Sequence, residues 1–111
     1  SGDVSAFAPE ALAEYARCFR NPATIHASCE DYRAAASIDL VHDEGDMAKP
    51  ITCPVLVLWG EKGLMHRHYD VLATWRERAI DVRGQALPCG HFLPEEEPVK
   101  TTSLLAEFFG E

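Results

Sequence analysis

The side chain best placed to do chemistry is His91, in the stretch Gly90-His91-Phe92-Leu93-Pro94. An imidazole titrates near neutrality, so it can take a proton from water or from a nucleophile. The stretch follows an expected strand and precedes an expected helix. Catalytic groups of open α/β sheets gather there, beyond the carboxyl ends of the strands. Gly90 is expected to let the backbone turn sharply before the histidine. The same placement suits a surface or capping histidine, so position alone leaves both roles open. Tyr32 lies on the apolar stripe of an expected helix. Its residue type favours a core tyrosine whose hydroxyl finds a neighbour or solvent; a phenol O–H aimed at an anion is the sharper alternative.

Other polar groups have simpler readings. His66 and His68 stand two apart in an expected loop, where a metal could be drawn. No third ligand is near them in sequence, and solvated loop histidines are the expectation. His42-Asp43-Glu44 with Asp46 reads as a charged helix face or turn rather than a metal site, and His26 reads as structural. Glu95-Glu96-Glu97 precede the last helix, where anions stabilise the N-terminus. No nucleophile elbow, dinucleotide fingerprint or P-loop occurs, and neither metal nor cofactor is expected. Cys18, Cys29, Cys53 and Cys89 form no CxxC pair and share no metal-ligand spacing. Free thiols in a reducing cytoplasm are expected.

The elements that must position these groups follow from periodicity. Leu12, Tyr15, Ala16 and Phe19 make one stripe of a helix over residues 10–19. A second helix opens at Asn21-Pro22, a favoured cap followed by a residue suited to the first turn. Its stripe is Ile25, Cys29, Tyr32 and Ala36. Residues 38–48 suit a third helix, weakened by Gly45. The character then changes. Val55-Leu56-Val57-Leu58-Trp59 is a continuous apolar run, which suits a parallel strand covered on both faces. Residues 60–63 read as a turn, 70–80 as a helix, Val82–Leu87 as a weaker strand interrupted by Gly84, and Pro98 as the start of a final helix. Residues 51–111 are thus β-α-β-α, the length of a parallel crossover unit plus one helix. Two parallel strands alone leave exposed edges, so more sheet is implied than these residues contain.

The 111 residues suffice for one core, and a hydrophobic fraction of 47% with 25% charged residues is ordinary globular usage. A net charge of −8 makes nucleic acid or an acidic membrane surface a poor partner. No apolar run approaches the roughly 18 residues of a membrane span. The opening residues do not read as a signal peptide, and Ser1-Gly2 reads as an expression remnant. A cytoplasmic location is expected.

Four stretches then carry a resemblance. They are Ile25-His26-Ala27 with Cys29-Glu30-Asp31-Tyr32-Arg33-Ala34, Val55-Leu56-Val57-Leu58-Trp59-Gly60, Trp75-Arg76, and Gly90-His91-Phe92-Leu93-Pro94-Glu95-Glu96. From Ala11 to Phe109 the chain resembles the haloacetate and fluoroacetate dehalogenases of the α/β-hydrolase superfamily, over the last part of their length. The strand and Gly-His-Phe segments are general to α/β hydrolases; Cys29-Glu30-Asp31-Tyr32-Arg33-Ala34 and the full Gly90-His91-Phe92-Leu93-Pro94-Glu95-Glu96 together are more specific. The resemblance implies an α/β fold in part: residues 1–50 as the end of a helical cap, and 51–111 as the last two parallel strands of the core with their helices. It implies carbon–halogen hydrolysis through an aspartyl ester, with His91 as the base that activates water. It makes Tyr32 a donor to the departing halide, and a small haloacid the substrate.

The same resemblance places the nucleophilic aspartate, the carboxylate-clamping arginines, the histidine's acidic partner and the other halide-binding residues upstream of residue 1. Relatives often keep an aspartate in the loop that here reads Gly60-Glu61-Lys62-Gly63; Gly63 stands in its place, and Glu61 is the nearby carboxylate. Groups that act as a unit lose most of their effect when divided. Two expectations result: a hydrolase fragment inactive as this chain alone, or a non-catalytic, self-associating module. Either way the open strand edge implies a homo-oligomer.

Overall fold

The computed structural model describes residues 4–110; residues 1–3, Ser1-Gly2 among them, and residue 111 lie outside it. The chain divides into two compact units, one from Phe7 to Lys49 and one from Pro50 onward, with the 3-10 turn Val4–Ala6 grouped with the second.

The first unit is helical: α1 Pro9–Phe19, α2 Pro22–Ala35 and α3 Ile38–Asp46. Asn21 caps α2 as its residue type requires, its side-chain oxygen accepting from the Ala23 N–H at 3.0 Å while Pro22 occupies the first turn. Gly45 falls in the last turn of α3, where its low helix propensity costs little. None of the three helices contains a buried residue. The stripe side chains Leu12, Phe19 and Ile25 are exposed. Tyr32 is 80% exposed, which removes the reading of it as a core tyrosine. Glu14–Arg17, Glu30–Arg33 and Asp46–Lys49 pair across one helical turn in solvent, where such pairs contribute little.

The second unit runs β1 Val55–Gly60, α4 Leu64–His68, α5 Val71–Arg76, β2 Val82–Leu87, α6 Leu93–Glu96, α7 Pro98–Phe109. β1 and β2 pair in parallel from Val55↔Val82 to Gly60↔Leu87. The order β-α-α-β supplies the long crossover that parallel pairing demands. Gly84 does not interrupt β2. It lies opposite Val57, and a Cβ there would stand 1.9 Å from the Val57 carbonyl oxygen, so glycine lets the two strands approach.

Three expectations change in detail. The helix expected over 70–80 stops at Arg76 because Ala79 forms a parallel bridge with Ile51, drawing the chain into extended pairing. Its start is as the sequence suggests, with the Asp70 carboxylate accepting from the Ala73 N–H at 3.0 Å. His66 and His68 lie on the short helix α4 rather than in a loop. β1 is not covered on both faces: within it, Val57 and Gly60 are buried and the rest are half-exposed. Its second edge has no strand beside it among the described residues. An apolar groove of about 550 Å³ runs along it, lined by Val55, Val57, Met65, Tyr69, Val71 and Trp75 among others.

The core is small and runs along the strand pair, from Ala79 before β2 to Cys89 after it. It comprises Val57, Ala79, Leu87 and Cys89, with Thr101 of α7 donating its hydroxyl to the Leu93 carbonyl at 3.2 Å. Leu87 is 0% exposed. Leu87→Ala should therefore lower the unfolding free energy by about 3 kcal/mol. Leu105→Ala, on the exposed side of α7, should cost about 1 kcal/mol or less. Chemical denaturation measures both. Equal losses would move the core away from β2.

Candidate active site

β1 and β2 end side by side, and the loops that leave them are tied together through the backbone. The Glu61 N–H donates to the Leu87 carbonyl at 2.9 Å, and the Lys62 N–H to the Cys89 carbonyl at 3.1 Å. Gly63 N–H closes its own turn on the Gly60 carbonyl at 3.0 Å. Gly60 makes the contact possible. A Cβ on it would stand 1.7 Å from the Gly90 carbonyl oxygen and 2.7 Å from that of Cys89, so only hydrogen fits. Gly90 itself is buried. Its φ is not positive, since Gly110 is the described glycine with that conformation. The chain bends at Pro88, Cys89 and His91, and Gly90 between them packs against the end of β1.

His91 follows directly. Its ring stacks edge-on against Phe92, centroids 5.3 Å apart, and the residue is exposed. It lines a cleft of about 440 Å³ together with Trp59, Lys62, Leu64, Arg67 and Leu93. The cleft thus lies at the carboxyl end of the parallel pair and carries two cations in a chain of net charge −8. On its wall, Trp59 donates its indole N–H to His66 Nδ1 at 3.1 Å, a bond that leaves the proton of a neutral His66 on Nε2.

The acidic run after His91 does more than favour a helix end. Glu96 turns back, and its two carboxylate oxygens accept from the Gly90 N–H at 2.6 Å and the Phe92 N–H at 3.2 Å. The amides on both sides of His91 are held by one carboxylate. The sequence reading missed this. The available signal was Pro94 in the first turn of α6, a residue suited to a helix start that brings Glu96 one turn after Phe92. Cys89, immediately before the loop, is buried. Burial pushes its thiol pKa up, and the nearby charges of Glu96 and Glu97 push it further. The thiol therefore stays protonated at neutral pH and is no nucleophile.

The other candidates lie on other elements. Tyr32 and His26 are exposed on α2, in the Phe7–Lys49 unit, while His91 belongs to the unit from Pro50 onward. His42 is exposed on α3. The side chain of Glu61, the nearby carboxylate, is exposed and makes no hydrogen bond with His91 among the described residues. Among the described residues, no group of three or more His, Cys, Asp or Glu side chains is placed to hold a metal ion. All four cysteines are free. No helix among the described residues is long and apolar enough to cross a membrane.

The contact at Gly60 yields a direct expectation. Gly60→Ala must drive the His91 loop off the end of β1, at a cost of about 1–3 kcal/mol typical of overpacking. The bond from the Lys62 N–H to Cys89 should open with it. Hydrogen exchange at the Lys62 amide and the thermal midpoint measure the two effects; a variant unchanged in both would contradict the close approach.

No family model matches the chain. It is 42% identical over 105 residues to the fluoroacetate dehalogenase of Burkholderia sp, a match covering 95% of this chain and 34% of that protein. It is 35% identical over 107 residues to the soluble epoxide hydrolase of Corynebacterium sp. (strain C12), covering 93% and 35%. Among solved structures, a protein from Nostoc sp PCC 7120 described as an alpha/beta hydrolase matches with a TM-score of 0.90 and 71% identity. That match covers 96% of this chain and 37% of the other. The chain spans about a third of the length of each of these relatives. Its parallel pair and flanking helices are part of an α/β-hydrolase fold, and over that part the chain resembles the haloacetate dehalogenases.

Proposed function

We propose that this chain is the base-bearing part of a hydrolase that cleaves the carbon–halogen bond of short haloacids. The observation that carries the reading is His91 on the loop after β2, at the carboxyl end of the parallel strands and open to a cleft. In the proposed reaction an aspartate, supplied by a segment outside this chain, attacks the carbon bearing the halogen. The carbon–oxygen bond forms, the halide leaves with the electron pair of the broken bond, and an aspartyl ester remains. His91 then takes a proton from water. The resulting hydroxide attacks the ester carbonyl, and the hydroxy acid leaves as the aspartate is regenerated. Lys62 and Arg67 on the cleft wall favour an anionic substrate. Tyr32, on the segment that resembles the family's cap, is the proposed donor to the halide; its exposed phenol is accessible for that role. In this reading residues 1–50 are cap and 51–111 are core, and no metal or cofactor takes part.

The 111 residues alone should release no halide from chloroacetate above background, since the ester-forming aspartate is not among them. A hybrid chain, in which they replace the matching third of the Burkholderia sp fluoroacetate dehalogenase, should turn over. In that hybrid, His91→Ala should slow ester hydrolysis by a factor of about 100 or more, the scale of general-base catalysis, while ester formation continues. The alkylated protein should then accumulate and be visible by mass spectrometry. Normal turnover by the variant would remove His91 from the mechanism.

A second reading, of a self-associating module, draws on a different observation: the open edge of β1 and the exposed stripe of Leu12, Phe19 and Ile25. An unpaired apolar edge is a template for another chain, and a two-fold pairing is the closed way to satisfy it. Under this reading the chain alone forms a homodimer or larger oligomer, in the cytoplasm, without nucleic acid or membrane as partner. Light scattering at micromolar concentration decides it. A stable monomer with one cooperative unfolding transition counts against it.

A further inference from the structure

We infer that Glu96 is a positioning residue: its carboxylate, bridging the amides on either side of His91, sets where the imidazole stands in the cleft. This rests on the reading of His91 as the base. The geometry supports the inference in three ways. First, the bridge is two-handed. Oε2 accepts from the Gly90 N–H at 2.6 Å and Oε1 from the Phe92 N–H at 3.2 Å. Both acceptors are one anion, so the bonds are charge-assisted and stronger than neutral ones. Second, the bonded N–H groups belong to the residues on either side of His91: that of Phe92 lies in the peptide directly after the ring-bearing carbon, and that of Gly90 one peptide farther back, so the bridge spans the histidine. Third, the carboxylate is itself held. Glu96 lies on α6, which has Pro94 in its first turn, and the Thr101 hydroxyl of α7 bonds the Leu93 carbonyl at 3.2 Å, tying α6 to the buried end of α7. Glu96 is half-buried, so solvent competes less for these bonds than at an open surface.

Other contacts hold the loop on either side of the histidine: after it, the Phe92 carbonyl accepts from the Glu95 and Glu96 N–H groups at 3.1 and 2.8 Å. Gly60 and the bond from Lys62 to Cys89 fix the loop only up to Gly90. Beyond it, the backbone partner that crosses His91 is the Glu96 side chain. A general base must lie within hydrogen-bond reach of the proton it takes, and small displacements are costly in rate. A carboxylate that grips both neighbours of the base, without being required to touch it, meets that demand while leaving the imidazole face open to the cleft.

Glu96→Gln tests this at constant size. The amide offers one acceptor in place of two, so one of the two loop amides loses its partner. In the 111-residue chain, exchange at Gly90 or Phe92 should accelerate roughly tenfold to a hundredfold, the scale of a lost bond to a charged group. The Lys62 and Thr101 amides, which use backbone acceptors, should keep their rates; Glu107→Gln, on α7, serves as the control for loss of charge. In the hybrid chain, Glu96→Gln should slow ester hydrolysis about tenfold and leave ester formation within about twofold, a split that general destabilisation does not produce. Unchanged exchange at both loop amides, or an equal slowing of both steps, overturns the proposal. If Glu96→Gln leaves hydrolysis intact while His91→Ala blocks it, Glu96 is dismissed and the base stands. If His91→Ala is also without effect, the reading of His91 fails and takes the role of Glu96 with it.

Discussion

The arrangement depends on a backbone contact between two loops at the end of a parallel strand pair. Gly60 lies so close to the Gly90 carbonyl that no side chain fits between them. Parallel pairing brings both strand ends to the same side, which is what lets consecutive loops meet there. Gly84 serves the same end farther back, where its missing Cβ lets β2 run against Val57. With both glycines in place the strands and their exit loops share one hydrogen-bonded seam, and His91 emerges from it at a defined point. Remove the close approach and the histidine has no fixed relation to the cleft formed by the loop after β1.

Much of this was legible from residue types. Asn21-Pro22 marked a helix start that the structure places there, because a capping oxygen followed by a residue without N–H satisfies local demands whatever the tertiary context. The Val55-Leu56-Val57-Leu58-Trp59 run became an expected strand because a short, continuous apolar run rich in strand formers has few other uses; the weaker Val82–Leu87 pairs beside it. What failed was decided by contacts distant in sequence. Helix α5 ends early because Ala79 finds Ile51, a pairing no local pattern announces. Gly84 looked like a break because its role lies in the neighbouring strand. Burial around Tyr32 was misjudged because an apolar stripe states what a helix could pack, not what is there to pack against it.

The candidate site divides along the same line. His91 stood out because a histidine between an expected strand and helix has a geometric meaning in open α/β folds. The role of Tyr32 came from likeness alone and has no support from the packing of the Phe7–Lys49 unit. Glu96 was hidden behind a correct generality. Anions do favour helix N-termini, and three consecutive glutamates before a helix invite that reading. Yet Glu97, at the cap position of α7, makes no side-chain capping bond, while Glu96 turns away to the loop. A carboxylate with free amides in reach takes them in preference to a diffuse dipole, because a short charge-assisted bond is the stronger interaction.

Where the molecule is well packed also bears on what it can do. Loops that carry chemistry are commonly among the less stable parts of a fold. Here several buried residues lie at that loop, besides Val57 and Ala79 farther back along the strands: Leu87 and Cys89 lead into it, Gly60 and Gly90 press together beneath it, and Thr101 backs it through Leu93. Helices α1, α2 and α3 bury nothing by comparison. Part of the buried surface of the second unit thus lies beneath the loop that carries the exposed imidazole. Close packing there limits how far the backbone leading into His91 can shift.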